Sequence, residues 1–414
     1  PSPSNAVNAG LSSMGYSRPS ATPDDAVQVT HVDAALAKIS CARLGYFEDR
    51  WTELLIRNTR PYPRSPLIHR GYYSRVSAMR RVVTRFLDQC PRGGGVQIVN
   101  LGVGFDTLYF WLRDNPKHWR DDLVYFEVDF PEVLSKKLSA ILKKQSVWPL
   151  LDAVAPEELV SPELGVCGTR ELRTPHCRFV STDMRIAPEL RDAMIAAGFR
   201  PDVPTLFLAE CVLVYMQAMH GDGIIEWAAH AVPDAPSAIV VYEQVNPSDP
   251  FGKVMVENLQ QRGCPLLSIH EYPTLAAQRQ RYLQRGWQSC FAEDMNKIYS
   301  TYLDQADVDR IHKLEMLDEF EEWHLIQAHY FVLVATRTPL GGSGMAPPAE
   351  TAAESDMATT DGGSAPILTG EPRGHEWIHG VLFNADAAHD QTQDMVVGDA
   401  AGTDAAEDAM LADV

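Results

Sequence analysis

Apolar residues follow two patterns along this chain, short continuous runs and longer stretches with helical spacing. Five runs rich in valine, isoleucine and aromatic residues predict strands, at 96–101, 123–128, 177–182, 204–210 and 237–243. A helix-forming stretch follows each run, and continuous rather than alternating hydrophobicity marks strands that are covered on both faces. Strands that alternate with helices form parallel sheets. The pattern therefore predicts an α/β fold with a doubly wound, mostly parallel sheet.

The segments around this sheet have other patterns. Helix formers dominate 24–53 and helical spacing runs through 72–89, so we expect an N-terminal helical extension over 24–95 before a domain at 96–337. Two late apolar runs, at 287–292 and 329–337, predict closing strands. The last is expected to be antiparallel, because no helix-forming stretch follows it. Prolines and a glycine interrupt the rhythm between 146 and 176 and predict an irregular insert.

Composition changes at both ends of the chain. Residues 1–23 are rich in Ser, Pro, Ala and Asn, and residues 338–414 in small residues, Pro and acids. The second segment holds fourteen acidic residues against one arginine, and so carries 13 of the 19 net negative charges. Such segments bury too little apolar surface to offset the entropy of ordering them. We expect a disordered arm and a disordered acidic tail.

Composition also argues against several classes of function. No apolar run suits a signal peptide or approaches the roughly 20 residues of a membrane span, so we expect no membrane contact. The seven cysteines are scattered and never form a C-x-x-C pair. This favours reduced thiols in a cytoplasmic protein, also present in the nucleus, over a disulfide framework or a metal site. The acidic balance, without a basic cluster among aromatics, argues against nucleic acid as the main partner.

Polar residues at the ends of the predicted strands are the candidates for chemistry, because ligands of open α/β sheets collect there. A turn with Gly102 and Gly104 follows the first strand, and Asp129, Asp183 and Glu210 follow or end later ones. Glycines let the backbone approach a nucleoside ligand, and an acid after the next strand accepts ribose hydroxyls. The same residues also suit plainer roles, as turn glycines, a helix cap before Pro131 and a turn aspartate.

The glycine turn favours one ligand class over another. It lacks the third glycine of the G-x-G-x-x-G pattern that nicotinamide dehydrogenases use. Asp106 in the turn disfavours a pyrophosphate, whereas a sulfonium cation has no phosphates and gains from nearby carboxylates. Glu210, directly after a buried run, needs a partner or a shifted pKa. These residues favour S-adenosylmethionine (SAM) as the ligand.

Segments across nearly the whole body resemble the leucine carboxyl methyltransferase family. The similarity lies in DAALAKISCARLGYF, RGYYSRV, QIVNLGVGFDT, YFEVDFP, STDMR, PTLFLAECVLVYM, YEQVNPSDPFGKVMVENL and HYFVLVAT. AECVLVYM and YEQVN are not features of methyltransferases at large, so the match is specific. The resemblance implies a Rossmann-like, SAM-dependent methyltransferase domain. It also implies a reaction, methylation of the C-terminal leucine carboxylate of the protein phosphatase 2A catalytic subunit.

The resemblance implies a role for each matching residue. It puts Lys38 and Arg75 at the methionyl carboxylate of SAM, Gly102 in the turn, Asp129 on the ribose, Asp183 and Met184 at the adenine, Glu210 near the methionyl amino group, and Tyr215 beside the transferred methyl group. Without it, Lys38 and Arg75 would be interpreted as solvated surface residues. Gln244 and Asn246 are candidates for polar contacts with the terminal residue of the substrate, or for an ordinary turn at the end of a strand.

The implied reaction needs no activation of its nucleophile, the substrate carboxylate. A C-terminal carboxyl group has a pKa of about 3.5, so it is ionised at neutral pH and needs no general base. We expect Arg75 and Tyr215 to be the catalytic residues, with Arg75 also holding the substrate carboxylate, since a planar guanidinium can bind one in two places. No metal is expected to take part.

The expected partner is the phosphatase catalytic subunit, bound through its C-terminal tail and its active-site face by a monomeric enzyme. Related enzymes act on a modified base of transfer RNA and carry a repeat-containing domain after the methyltransferase body. The different composition of 338–414 favours the phosphatase-directed branch. The alternatives are a carboxyl methyltransferase of a modified transfer-RNA base or small molecule, and a non-catalytic partner of the phosphatase that has kept the fold.

Overall fold

The computed structural model describes residues 23–56, 64–165 and 167–339, with side chains from residue 30 onward. The predicted N-terminal arm (1–23) and acidic tail (338–414) lie outside the described residues, apart from three residues at their inner edges. Their expected disorder therefore stays a prediction. Within the described ranges, no helix is both long enough and apolar enough to cross a membrane.

Helices and strands alternate through most of the described chain. The helices are α1 (Pro23–Arg43), α2 (Trp51–Leu55), α3 (Pro66–Gln89), α4 (Leu108–Arg113), α5 (Pro131–Leu142), α6 (Ala187–Ala196), α7 (Ala218–His230), α8 (Pro250–Gln261), α9 (Leu275–Leu283), α10 (Met295–Lys297), α11 (Gln305–Ile311) and α12 (Phe320–Ala328). The strands are β1 (Val96–Leu101), β2 (Leu123–Asp129), β3 (Cys177–Ser181), β4 (Thr205–Glu210), β5 (Ser237–Gln244), β6 (Ser289–Asp294) and β7 (Tyr330–Arg337). The predicted strands match to within two residues at each end. The insert is irregular as predicted, with 3₁₀ turns at Gln145–Leu151 and Pro156–Leu159.

The strands form one sheet in the order β3-β2-β1-β4-β5-β7-β6. The first five strands are parallel, and β7 runs antiparallel to both of its neighbours, β5 and β6. This confirms the doubly wound, mostly parallel α/β fold and the antiparallel last strand. The chain order reverses between β1 and β4, and ligands of such sheets bind at that crevice.

Helices cover both faces of the sheet, which explains the continuous apolar runs. Ile98 and Val240 pack into one core with α1 and α3, while Val99 and Val241 pack into the other with α6 and α7. Because α1 and α3 share a core with the strands, residues of the 24–95 extension pack directly on the sheet. The boundary near residue 95 stays a prediction.

Helix starts beside the sheet edge follow from local sequence. Pro66 and Pro131 occupy the first turns of α3 and α5, where a missing backbone N–H costs no hydrogen bond. Asp249 caps α8 and accepts a 2.7 Å hydrogen bond from the Gly252 N–H. These signals fix where α3 and α5 begin, and so where their side chains meet the carboxyl ends of the strands.

Candidate active site

A cavity lies at the carboxyl ends of β1, β4 and β5, between α1 and α3 on one side and α12 with β7 on the other. Eight residues named from the sequence line it: Lys38, Arg75, Gly102, Gly104, Asp106, Glu210, Tyr215 and Gln244. Four others, Asp129, Asp183, Met184 and Asn246, are not on its wall. The structure thus brings together the residues predicted for the methionyl side with Tyr215 and Gln244, whereas Asn246 donates a hydrogen bond to the Ala328 carbonyl instead. Those predicted for the ribose and adenine lie beyond the cavity.

Two ion pairs face this cavity. Lys38 Nζ lies 2.5 Å from Asp106 Oδ1, and Arg75 Nε lies 2.7 Å from Glu210 Oε2. All four side chains are at most 15% exposed. Burial disfavours the Lys38 ammonium and lowers its pKa, but attraction to the carboxylates of Asp106 and Glu210 is stronger. The net effect is a raised Lys38 pKa. Burial likewise opposes the Asp106 carboxylate, and Lys38 overcomes it and lowers that pKa. Lys38 and Asp106 are therefore expected to be charged at neutral pH.

This arrangement fits the amino-acid end of SAM, which carries one carboxylate and one ammonium group. Lys38 and Arg75 could supply donors for the carboxylate, while Asp106 and Glu210 could supply acceptors for the ammonium. The ligand carboxylate would take the place of a protein carboxylate beside a cationic side chain. The ligand ammonium would take the place of a protein cation beside a carboxylate. The buried charges stay balanced with and without the ligand, which limits the desolvation cost of binding.

The glycine turn lies close to neighbours on both sides. Gly102 and Gly104 have φ values of +64° and +52°. A Cβ added at Gly102 would come 2.5 Å from Val212 Cγ2, and one at Gly104 would come 2.7 Å from His31 Cβ. The His31 ring also stacks on Phe105, with centroids 4.9 Å apart. Helix α1 therefore packs directly on the turn, and only glycine fits at either position.

Asp129 lies behind the turn. Its Oδ2 accepts a 2.7 Å hydrogen bond from the Gly104 N–H, and its Oδ1 accepts one from the Phe130 N–H. Burial raises the pKa of Asp129 to about 6, although both N–H donors act in the opposite direction. The structure shows Asp129 bracing the turn, and its role on the ribose stays a prediction.

The two residues predicted at the adenine occupy a separate place. Asp183 pairs with Arg185 at 2.8 Å, and Met184 is buried in the core that packs α6 and α7 on the sheet. Both follow β3, whose neighbour β2 ends at Asp129. Their contact with adenine stays a prediction.

Tyr215 reaches the cavity from a strained turn that the sequence did not reveal. Cys211, just after β4, has a φ of +56°. The Glu243 Oε1 atom accepts hydrogen bonds from three successive N–H groups, those of Val212, Leu213 and Val214, at 3.3, 2.6 and 3.0 Å. Glu243 is thereby a positioning residue for Tyr215. A signal was present in the sequence, because Glu243 ends an otherwise apolar run.

A second missed group lies beneath the glycine turn. Lys137 of α5 is fully buried and pairs with Glu127 of β2 at 2.6 Å. Its Nζ also donates a 2.7 Å hydrogen bond to the backbone carbonyl of Asp106. Burial raises the Glu127 pKa and Lys137 partly offsets this. The pair could not be predicted from the sequence, because a lysine in a helix and a glutamate near a strand end both suit solvent-exposed positions.

Aromatic side chains surround Arg75 and remove it from water. Its Cζ atom lies 4.9 Å from the centroid of the Tyr242 ring and 5.9 Å from that of Tyr72. Burial raises the pKa values of Tyr215 and Tyr242 well above the usual range, so both phenols stay protonated at neutral pH. Neither can act as a base there. Among the described residues, no group of His, Cys, Asp and Glu side chains is arranged to hold a metal ion.

Comparisons with known proteins agree on one family. The family model described as leucine carboxyl methyltransferase matches residues 26–229. A leucine carboxyl methyltransferase 1 homolog of Arabidopsis thaliana is 39% identical over 316 residues, which cover 76% of this chain and 90% of the relative. Leucine carboxyl methyltransferase 1 of Bos taurus is 35% identical, with 79% of this chain and 93% of the relative covered. The tRNA wybutosine-synthesizing protein 4 of Homo sapiens is 39% identical over 75% of this chain but only 44% of its own length.

Proposed function

The chain belongs to the leucine carboxyl methyltransferase family, whose methyl donor is SAM, and we propose that it methylates the α-carboxylate of the C-terminal leucine of the protein phosphatase 2A catalytic subunit. The cavity with its two buried ion pairs carries this proposal. SAM supplies an electrophilic methyl group when bound. The residues of the chain then need only to bind, orient and desolvate a carboxylate nucleophile.

Arg75 is the residue best placed to hold that carboxylate. Its Nε is engaged by Glu210, while its guanidinium lies against Tyr242 in the cavity wall. A guanidinium has further N–H donors, which suit a carboxylate oxygen. Tyr215, kept neutral by burial, offers a hydroxyl group beside the same space.

The chemistry of this substrate requires no general base. A terminal carboxylate is ionised at neutral pH, so no proton has to be removed before it attacks. Positioning of two reactants in a water-excluded site can lower the barrier by several kcal/mol. The buried aromatic surroundings of Arg75 are suited to that task.

The direct test uses SAM labelled in its methyl group. We expect label on the purified catalytic subunit that ends in leucine, none on a subunit that lacks this residue, and loss of the label in mild alkali, which hydrolyses methyl esters. Mass spectrometry of the C-terminal peptide should place one methyl group on its carboxylate. Equal labelling of the shortened subunit would refute the proposal.

An Arg75→Lys variant tests the site more cleanly than Arg75→Ala. Alanine would leave Glu210 buried without a partner, which destabilises folding by itself. Lysine keeps a positive charge beside Glu210 but loses the planar fork of donors. We expect a fall in kcat/KM of about a hundredfold or more, as for removal of an oriented charged hydrogen bond, with a nearly unchanged melting temperature.

A second candidate substrate, a carboxyl group on a modified transfer-RNA base, follows from the identity to the human tRNA wybutosine-synthesizing protein 4. Incubation with labelled SAM and bulk transfer RNA distinguishes the two. Label in nuclease-released nucleosides, without label on the phosphatase subunit, would establish this alternative.

A further inference from the structure

A fully buried arginine packs against residues 211–215, the turn that carries Tyr215 to the cavity. The Arg281 side chain of α9 is 0% exposed, and its Nε donates a 2.8 Å hydrogen bond to Asp222 Oδ1 of α7. Its two terminal nitrogens, Nη1 and Nη2, have no hydrogen-bond partner among the described residues. A guanidinium that has lost its water in this way is unfavourable unless further negative charge lies nearby. The terminal nitrogens therefore point to a second anion in the protein.

The terminal nitrogens of Arg281 lie beside Leu213 of this turn. A Cβ atom placed on Gly221 of α7 would lie 2.5 Å from Arg281 Nη2 and 3.6 Å from Leu213 Cβ. Gly221 thus leaves room for the guanidinium next to the turn. The Arg281 Cζ atom also lies 4.3 Å from the centroid of the Tyr272 ring, a cation–π contact that helps to hold it there. Arg281 is therefore fixed beside the backbone segment that Glu243 binds.

Glu243 of β5 is the carboxylate on which Arg281 acts at this turn. Glu243 is 1% exposed, and its Oε1 accepts the N–H groups of Val212, Leu213 and Val214. Burial raises the Glu243 pKa, and the positive charge of Arg281 is the largest influence that opposes this, ahead of the three N–H donors. Because Glu243 binds the Leu213 N–H at 2.6 Å and Arg281 lies beside Leu213, geometry and electrostatics indicate the same pair.

The charge on Glu243 determines how firmly the turn is held. Three N–H groups converge on one oxygen, and hydrogen bonds to a charged acceptor are about twice as strong as those to a neutral one. Tyr215 follows the third of these donors directly and lines the cavity. A Cβ on Gly102 would lie 2.5 Å from Val212 Cγ2, so the same turn also contacts the glycine turn. Loss of the charge on Glu243 would therefore loosen one wall of the cavity.

We propose that Arg281 is a positioning residue for the reaction. Its buried positive charge keeps Glu243 a charged acceptor, and Glu243 then fixes the turn that places Tyr215. Asp222 holds Arg281 in this position from α7. The action of Tyr215 on a substrate rests on the proposed function, whereas the effect of Arg281 on the turn does not depend on which substrate binds.

The variant that tests this inference is Arg281→Met, which keeps an unbranched apolar side chain and removes the charge. Glu243 then loses its counter-charge, so its pKa must rise further. We expect kcat on the phosphatase subunit, at saturating SAM, to fall about fivefold near pH 6.5, the usual effect of a weakened hydrogen bond. It should recover towards pH 9, as Glu243 becomes ionised and binds the three N–H groups strongly again. The kcat of the unaltered enzyme should not change over this range.

Stability should not recover with kcat. A protonated Glu243 costs no stability near pH 4, where the unfolded chain is protonated too, and costs more as the pH rises. The melting temperature lost in Arg281→Met should therefore be at least as large at pH 9 as at pH 6.5. A merely structural role would make activity follow stability. Cys211 and Tyr282 also lie near Glu243 but do not interfere, because burial raises the Cys211 pKa to about 12 and the Tyr282 pKa well above its usual range.

Two glycines of α7 give a matched pair that leaves every charge in place. Gly221→Ala puts a Cβ 2.5 Å from Arg281 Nη2 and must displace the guanidinium, whereas Gly223→Ala meets no atom within 4 Å. Both replace a helical glycine by a better helix former. We expect Gly221→Ala, and not Gly223→Ala, to lower kcat near pH 6.5. Adding Glu243→Gln to Arg281→Met should remove the pH dependence of kcat, because an amide does not titrate.

Hydrogen exchange of the full chain without ligands measures the turn itself. At one pH, the amides of 212–214 should exchange about fivefold faster in Arg281→Met than in the unaltered protein, with little change in Gly223→Ala. Unchanged exchange, exchange that rises equally across the sheet, or a kcat of Arg281→Met without pH dependence would each overturn the inference. If exchange rises as expected but the unaltered enzyme methylates no phosphatase subunit, the proposed function is wrong and the role of Arg281 at the turn is supported.

Discussion

Replacement of Lys137 by methionine tests whether the buried pair beneath the glycine turn supports the cofactor site. The substitution preserves the length of the side chain and leaves Glu127 buried without its counter-ion, because the two side chains are 0% and 2% exposed. Glu127 then avoids an unpaired charge by keeping a proton. Its pKa, already raised by burial against the opposing effect of Lys137, must rise further.

The expected loss of folding stability follows from the free energy needed to keep Glu127 protonated. Holding a glutamate protonated costs about 1.4 kcal/mol per pH unit above its ordinary pKa of about 4.3, which gives at most about 4 kcal/mol at pH 7. The cost disappears towards pH 4, where the unfolded chain is protonated too, and grows as the pH rises. For a folded body of roughly 310 residues, 1 kcal/mol corresponds to about 1.5 °C in melting temperature. We expect Lys137→Met to melt about 5 °C lower at pH 7 and less than 2 °C lower at pH 5.

Thermal melting at several pH values, with SAM titration by calorimetry, measures both effects. SAM affinity should fall as well, since Lys137 Nζ holds the Asp106 carbonyl at 2.7 Å. Lys136→Met, an exposed position on the same helix, is the matched control and should change neither quantity. Adding Glu127→Gln to Lys137→Met should restore part of the stability and remove its pH dependence. A loss of stability that is the same at pH 5 and pH 8 would refute the reasoning.

Three further predictions concern the cavity. Gly104→Ala should weaken SAM binding about tenfold or more, because its Cβ would lie 2.7 Å from His31 Cβ. Gly93→Ala is the control: Gly93 has a φ of +85° and no atom within 4 Å, so its substitution should lower only the melting temperature. The dissociation constant for SAM should rise as the pH falls through about 6, where Asp129 takes up a proton, and Asp129→Asn should lose this dependence in calorimetry. Tyr215→Phe should lower kcat by about tenfold or less, and kcat of the variant should not depend on pH between 6.5 and 9. A log-linear rise of kcat with pH that the unaltered enzyme shows and the variant lacks would instead assign Tyr215 a role as base.

The order of elements and the edge of the sheet that carries the site could be predicted from the sequence because both follow from local pattern. Continuous apolar runs indicate strands that are covered on both faces of the sheet, and the residues that follow the strand ends are those expected to line the crevice. What could not be predicted is which side chains meet across it. Lys38 lies on α1 and Asp106 follows β1, and their pairing depends on how α1 packs on the glycine turn. Periodicity alone does not report such long-range packing.

Buried carboxylates explain why the site keeps its shape. Glu127, Glu210 and Glu243 lie at or near the carboxyl ends of β2, β4 and β5, and each meets a different compensating group: Lys137, Arg75, and three backbone N–H donors, respectively. An uncompensated carboxylate at any of these positions would cost several kcal/mol. Each therefore fixes the element that supplies its partner: α5, α3 or the turn before Tyr215. Glu210 also lines the cavity, so it both faces the ligand and holds α3 through Arg75, and its substitution should alter cofactor affinity and stability together.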